Sequence, residues 1–230
     1  MKRILITGGT GFIGSHTVCS LLEKRFDLCI VDSLVNSSKR SLDRVKEIFK
    51  KKNIDINEKI NFFKGDLRDK SFIDSLFKKS ENEGKPIDGV IHFAGLKAVA
   101  ESVVNPIKYW DNNVIGSFNL IQSMNENNCK TIVFSSSATV YGNNFDQLIS
   151  ESSNINPNNP YGSTKLVVEN LLNDIQDKNS TEWKIAILRY FNPIGAHYSG
   201  LIGENPLEKP NNVFPLIINA AHEKNRLKVF

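Results

Sequence analysis

A chain of 230 residues, 40% hydrophobic and 23% charged, with a slightly negative mean hydropathy, has the make-up of a soluble protein with room for one sizeable core. The net charge of +4 is mild and its lysines are scattered, which argues against a nucleic-acid partner; the one dense run, Lys50-Lys51-Lys52, falls at an expected helix end and complements the dipole there. No apolar stretch reaches the 18 or so residues of a membrane span, and the one in "MKRILITGG" is too short for a signal peptide, so no membrane partner and a cytoplasmic location are expected.

Strand and helix patterns then alternate along the chain. "RILIT" at 3–7 reads as a strand, and the glycine-dense "ITGGTGFIGSHT" leads from it into a helix at 11–24. Strands at 28–32, 60–66, 89–95, 131–137 and 183–191 alternate with helices at 41–52, 70–79, 106–125 and 160–177. Strands that are apolar throughout belong to a sheet covered on both faces, and strand–helix alternation gives parallel pairing with right-handed crossovers. The expected fold is α/β, a doubly wound parallel sheet of Rossmann type, with a nucleotide-binding domain over 1–190. The remainder, 191–230, reads as the start of a substrate-binding domain: a Gly/Pro/Asn-rich stretch, a helix at 210–224 and a strand-like "LKVF" that looks cut. Cys19, Cys29 and Cys129 form no metal spacing and sit in apolar segments, as small buried hydrophobes in a reducing compartment do. His16, His92, His197 and His222 are dispersed, and no metal site is expected.

The glycines admit two registers, G-x-G-x-x-G through Gly9, Gly11 and Gly14, or G-x-x-G-x-x-G through Gly8, Gly11 and Gly14. Either lies between a strand and a helix, where glycine allows a tight turn and the helix N-terminus offers free N–H groups to a pyrophosphate. Asp32, 18 residues beyond Gly14, suits an adenosine ribose and favours NAD over NADP; the competing reading is a turn cap, and nearby Lys39 and Arg40 leave NADP open. Further on, Pro160 suits a helix start and puts Tyr161 and Lys165 on one face, after a strand ending in Ser135, Ser136 and Ser137. A tyrosine working as a base must drop from about 10 towards 7, a shift of roughly 4 kcal/mol that one close ammonium in a low-dielectric cleft can supply. The competing reading is a surface tyrosine beside a solvated lysine.

The strings "GGTGFIGSHT", "VIHFAGLKAV", "YWDNNVIGS", "FSSSATVYG", "NPYGSTK" and "LRYFNPIGAH" together resemble the extended short-chain dehydrogenase/reductases and, within them, the UDP-glucose (UDP-galactose) 4-epimerase family. The resemblance covers essentially the whole chain and selects the register Thr7, Gly8, Gly11, Gly14. It implies Tyr161 as catalytic base, Lys165 as the lysine that holds the nicotinamide ribose and lowers the tyrosine, and Ser137 as the group that hydrogen-bonds the sugar hydroxyl. For the NAD cofactor it implies Gly8, Gly11, Phe12, Ile13 and Gly14 at the pyrophosphate, Asp32 and Asn36 at the ribose, and Asp66 and Leu67 at the adenine. Phe93, Ala94, Gly95, Lys97, Asn112 and Phe191 would line the dinucleotide. Asn192, Asn212 and Val213 would join Ser137 and Tyr161 at a UDP-hexose, with turn formation as the other reading of the two asparagines.

The implied reaction oxidises the sugar at C4, lets the 4-keto intermediate rotate, and returns hydride to the opposite face, with no net redox. A homodimer through helices near 106–125 and 161–177 is also implied. Relatives of this family run roughly a hundred residues longer, so the cofactor site reads as complete and the substrate site as half built. Three rivals stand beside it. A 4,6-dehydratase needs an acidic residue beside the serine, and Ala138 and Thr139 follow Ser137. An ordinary dehydrogenase would not require the longer strings. A non-catalytic NAD-binding module fits the missing cap.

Overall fold

At the centre of the computed structural model lies β1 (Arg3–Thr7), paired in parallel with β2 (Asp27–Asp32) on one side and β4 (Ile87–His92) on the other. The structure describes residues 1–143, 148–178, 182–206, 213–224 and 226. With β3 (Ile60–Lys64), β5 (Thr131–Ser137) and β6 (Lys184–Tyr190) the sheet has the order β3-β2-β1-β4-β5-β6 and every pair is parallel. Strand order therefore reverses between β1 and β4, and the crevice outside the strand ends there is where such sheets bind ligands.

Helices cover both faces. α1 (Phe12–Glu23) and α2 (Arg40–Lys51) pack on one side, where Ile6, Ile30, Val18, Leu22, Val45 and Phe49 form a core. On the other, Leu5, Val90 and Phe134 meet Ile73 and Phe77 of α3 (Lys70–Asn82), Leu120 of α6 (Gly116–Glu126) and Leu172 of α7 (Pro160–Lys178). Leu5 and Ile6 are neighbours that enter opposite cores, as the two-residue repeat of a strand requires.

Every expected strand and helix within the described residues is present, with no end shifted by more than three residues. Three differences bear on function. A short helix not foreseen, α4 (Val99–Val104), precedes α5 (Pro106–Tyr109), which continues into α6 through a widened π-type turn at Trp110–Ile115. β6 is not covered on both faces: Lys184, Ala186 and Leu188 are exposed on one side. α8 (Val213–Glu223) buries none of its residues. Of the expected helix at 210–224, its first three positions, Asn212 among them, lie outside the described residues, as does "LKVF" at 227–230.

Candidate active site

The glycine loop turns at the C-terminal end of β1. Gly8 has φ +70, and a Cβ on it would stand 2.7 Å from the Ala94 nitrogen in the loop after β4. A Cβ on Gly14 would stand 2.2 Å from the Gly8 carbonyl oxygen. Two turns therefore meet backbone to backbone at the switch point, and only hydrogen fits. Gly11 is the N-cap of α1 without any side-chain cap, so the first-turn N–H groups of Phe12, Ile13 and Gly14 have no intrahelical acceptor. This cradle can take a phosphate.

Asp32 ends β2 and is buried. Its Oδ2 accepts from the Thr10 N–H at 3.1 Å, while Oδ1 accepts from the Leu34 N–H at 2.9 Å and the Ser37 hydroxyl at 2.7 Å. The carboxylate thus holds its own turn and the glycine loop together. Asn36 is exposed in the loop just beyond. Asp66 is gripped by the Arg68 guanidinium at 2.6 Å, which holds its carboxyl below the usual range. Leu67 is buried in the core, its Cβ within 3.2 Å of the position a Cβ on Gly116 would take.

The Phe93 and Ala94 N–H groups donate to Thr7, the first to its carbonyl at 3.0 Å and the second to its hydroxyl at 3.3 Å. Gly95 passes beside Lys165: a Cβ there would lie 3.6 Å from Nζ. Lys97 is exposed, 3.8 Å from Glu204. Asn112 turns back on its own helix, its amide donating to the Lys108 carbonyl at 2.8 Å. The adjacent Asn113, not singled out in the sequence, is buried and holds both backbone groups of Leu96, accepting at 2.8 Å and donating at 3.0 Å, as well as the Thr164 hydroxyl at 3.2 Å. The doubled Asn in "DNNV" was the one available signal; the π-type turn decides which of the two faces inward.

Tyr161 and Lys165 stand on one buried face of α7. Ser137 caps the short turn Ala138–Tyr141, accepting from the N–H and the hydroxyl of Thr139 at 3.3 and 3.0 Å. Burial raises the Tyr161 phenol above its ordinary value, and the neighbouring Ser137 opposes this by lowering it. The Lys165 ammonium donates to the Ser135 carbonyl at 2.9 Å and lies 5.9 Å from the Tyr161 ring centre. Burial pushes it down to about 8, with the Glu169 charge opposing. Ser102 of α4 is another residue without a sequence signal: its hydroxyl accepts from the Tyr161 N–H at 3.2 Å and fixes the start of α7.

Phe191 and Asn192 are exposed beyond β6, Phe191 stacked on Tyr141 at 6.4 Å. Val213 is exposed at the start of α8, and Asn212 lies outside the described residues.

The three cysteines are free and buried, but the histidines are less dispersed than their sequence positions. Cys19, Glu23 and His197 bring ligand-type atoms within 4.8 Å of one another. The Ser199 N–H donates to His197 Nδ1 at 3.2 Å, so Nε2 carries the hydrogen and points at the Cys19 sulfur 3.9 Å away. The Lys52 ammonium occupies Glu23 at 2.6 Å. The cluster is a clasp between α1 and the loop after β6.

The model of the NAD dependent epimerase/dehydratase family matches residues 4–230. Over 228 residues the chain is 48% identical to the UDP-glucose 4-epimerase of Bacillus subtilis (strain 168), covering 99% of this chain and 63% of that one. It is likewise 48% identical over 220 residues to the bifunctional UDP-glucose 4-epimerase and UDP-xylose 4-epimerase 1 of Pisum sativum, covering 96% of this chain and 60% of the relative. The crystal structure of the Bifidobacterium longum UDP-glucose 4-epimerase in complex with NAD+ and UDP superposes with a TM-score of 0.87 at 42% identity, over 98% of this chain and 64% of that one. The chain thus spans about 60% of the length of the relatives it matches.

Proposed function

The chain belongs to the NAD dependent epimerase/dehydratase family, and from that premise we propose that it binds NAD and inverts C4 of a UDP-hexose. The observation that carries the reading is Tyr161 and Lys165 one turn apart on a buried face of α7, with Lys165 bonded to the end of β5 two residues before Ser137.

The residues fit the cofactor. The Gly8–Gly14 cradle, which a Cβ would fill, and the open first turn of α1 would hold the pyrophosphate. Asp32 and Asn36 would meet the adenosine ribose, Asp66 and Leu67 the adenine, and Phe93, Ala94, Gly95, Lys97, Asn112 and Phe191 the rest. NAD, when bound, supplies a hydride acceptor that later gives the hydride back and a cationic ring.

In the chemistry proposed for this chain's own groups, Tyr161 takes the proton of the sugar 4-hydroxyl. Ser137 stays hydrogen-bonded to that oxygen as its charge changes, and Lys165 keeps a positive charge in the cleft so that the phenolate can form. The same tyrosine returns the proton after the 4-keto sugar has turned. Asn192, Asn212 and Val213 would contact the UDP-sugar, within a substrate-binding region that begins at 191 and follows a cofactor-binding region over 1–190.

The protein is further proposed to work as a homodimer in a reducing, cytoplasmic compartment. Val104 and Ile107 are 76% and 83% exposed, and Ile115 and Phe118 further along the same stretch of helices are exposed as well; monomers rarely present so many large apolar side chains to water. Among the described residues no helix is long and apolar enough to cross a membrane.

Incubation with NAD and UDP-galactose, followed by chromatographic separation of the nucleotide sugars, tests the reading: UDP-glucose appears with the wild-type chain. Tight NAD binding with no sugar conversion would instead favour a cofactor-binding module.

A further inference from the structure

The buried ion pair of Glu169 and Arg189 takes no part in the proton path. Glu169 lies one turn beyond Lys165 on α7 and is 1% exposed; Arg189 reaches it from β6. Arg189 Nη2 donates to Oε2 at 2.6 Å, and its Nε spans both oxygens at 3.0 and 3.2 Å. The Ser136 hydroxyl donates to Oε1 as well. Arg189 Nη1 donates to the Tyr141 hydroxyl at 2.9 Å, and Tyr141 stacks on Phe191.

Stability alone does not account for such a pair, because apolar side chains of the same volume often serve as well or better. Its neighbours suggest another purpose. Ser136 immediately precedes Ser137, Lys165 and Tyr161 stand one and two turns before Glu169, and Phe191 follows Arg189 by two residues. A fully satisfied buried network fixes geometry more sharply than apolar packing does.

We propose that Glu169 and Arg189 are a positioning pair for the reaction, clamping α7 to the ends of β5 and β6 so that Ser137, Tyr161 and Lys165 keep one register. This rests on the reading of Tyr161 as the base. The clamp also has an electrostatic side. The Glu169 carboxylate is the charge that opposes the burial of Lys165. The other groups facing this site are Arg189 from β6, Ser137 from β5, His92 from β4, held neutral by burial, and Tyr109, held protonated by burial and by Glu101. Without the carboxylate, Lys165 gives up its proton more readily.

The double variant Glu169→Leu/Arg189→Met removes both charges at once and leaves neither buried alone. Lys165 ionisation is read in the full chain from the NMR shift of its side chain with pH, assigned by its loss in Lys165→Met. The expected result is melting within a few degrees of wild type, Lys165 losing its proton at lower pH, and UDP-galactose turnover down about tenfold or more with little change in KM. Wild-type ionisation and turnover in a stable double variant would overturn the proposal, since a merely structural pair is replaced by an apolar one. Should the double variant not fold, Ser136→Ala, which removes one strut and no charge, is judged by the same readouts and is expected to move them less in the same direction; no movement overturns the clamp. A wild-type chain that turns over no UDP-galactose would count against the epimerase reading, and the ionisation of Lys165 would still decide the clamp.

Discussion

Gly14 stands so near Gly8 that a Cβ on the first would lie 2.2 Å from the carbonyl oxygen of the second. The contact is backbone against backbone and cannot be relieved by turning a side chain. Gly14→Ala should therefore cost about 1–3 kcal/mol in stability and weaken NAD binding sharply, since α1 must back away from the loop it caps. Gly84→Ala, at a left-handed position with nothing within 4 Å, should cost about 1 kcal/mol and leave NAD binding alone. Thermal melts with and without NAD separate the two; equal behaviour would contradict the cradle.

Tyr161→Phe deletes one oxygen from a side chain already packed edge-on against Tyr109. Turnover should fall by about 10²–10⁴-fold with NAD affinity and melting close to wild type. An active Tyr161→Phe variant would remove the proposed base.

Lys165 gives a stability signature of its own. Its ammonium is pushed from 10.5 down to about 8 by burial. Between those values the unfolded chain holds a proton that the folded chain has lost, so wild-type stability gains with rising pH in that window and bears the full penalty below it. Lys165→Met, which keeps the stem, should be inactive yet more stable at pH 7, by up to about 3 kcal/mol, with the advantage gone near pH 10.5. Urea melts of both proteins across this range provide the check.

His92 ties β1 to α6, one ring nitrogen paired with the Thr7 hydroxyl at 2.7 Å and the other with Ser117 at 2.8 Å. Burial lowers it to about 3. As pH falls from 6.5 towards 3 the unfolded chain takes up a proton that the folded chain refuses, and up to roughly 5 kcal/mol of stability is lost. Compared with wild type, His92→Asn should be less stable at pH 7 and lose less on acidification to pH 4. Parallel urea-melt slopes with pH for the two proteins would rule out this origin.

Ile107→Glu places a charge at the most exposed of the apolar side chains on α4 to α6. Sedimentation should show a dimer for wild type and a monomer for the variant, with the fold retained. Wild-type monomers at micromolar concentration would argue against the dimer.

The sheet, its order of elements and the Tyr161–Lys165 pair were legible in the sequence because each is local: a glycine loop between strand and helix, or two side chains one helical turn apart. What stayed hidden depends on residues far apart. Asn113 acts through Leu96 and Thr164, 17 and 51 positions away, and a π-type turn that no spacing rule foresees aims it. Glu169 carries no signal in the sequence, because its partner Arg189 reaches it only through the placing of β6 beside α7. Cys19 and His197, 178 positions apart, share no spacing at all. The capping side of Asp32 was weighed in the sequence, and the turn it holds is there. The open face of β6 went unforeseen because an apolar run looks the same at a sheet's edge as inside it.

The most direct test of the central claim uses UDP-galactose carrying deuterium at C4, incubated with the chain and NAD in ordinary water, with the product's isotope read by mass spectrometry and NMR. Removal and return of hydride around the Tyr161 base predicts UDP-glucose that keeps its deuterium at C4. Product with the label exchanged for solvent hydrogen, or no product from a chain that holds NAD tightly, would contradict it.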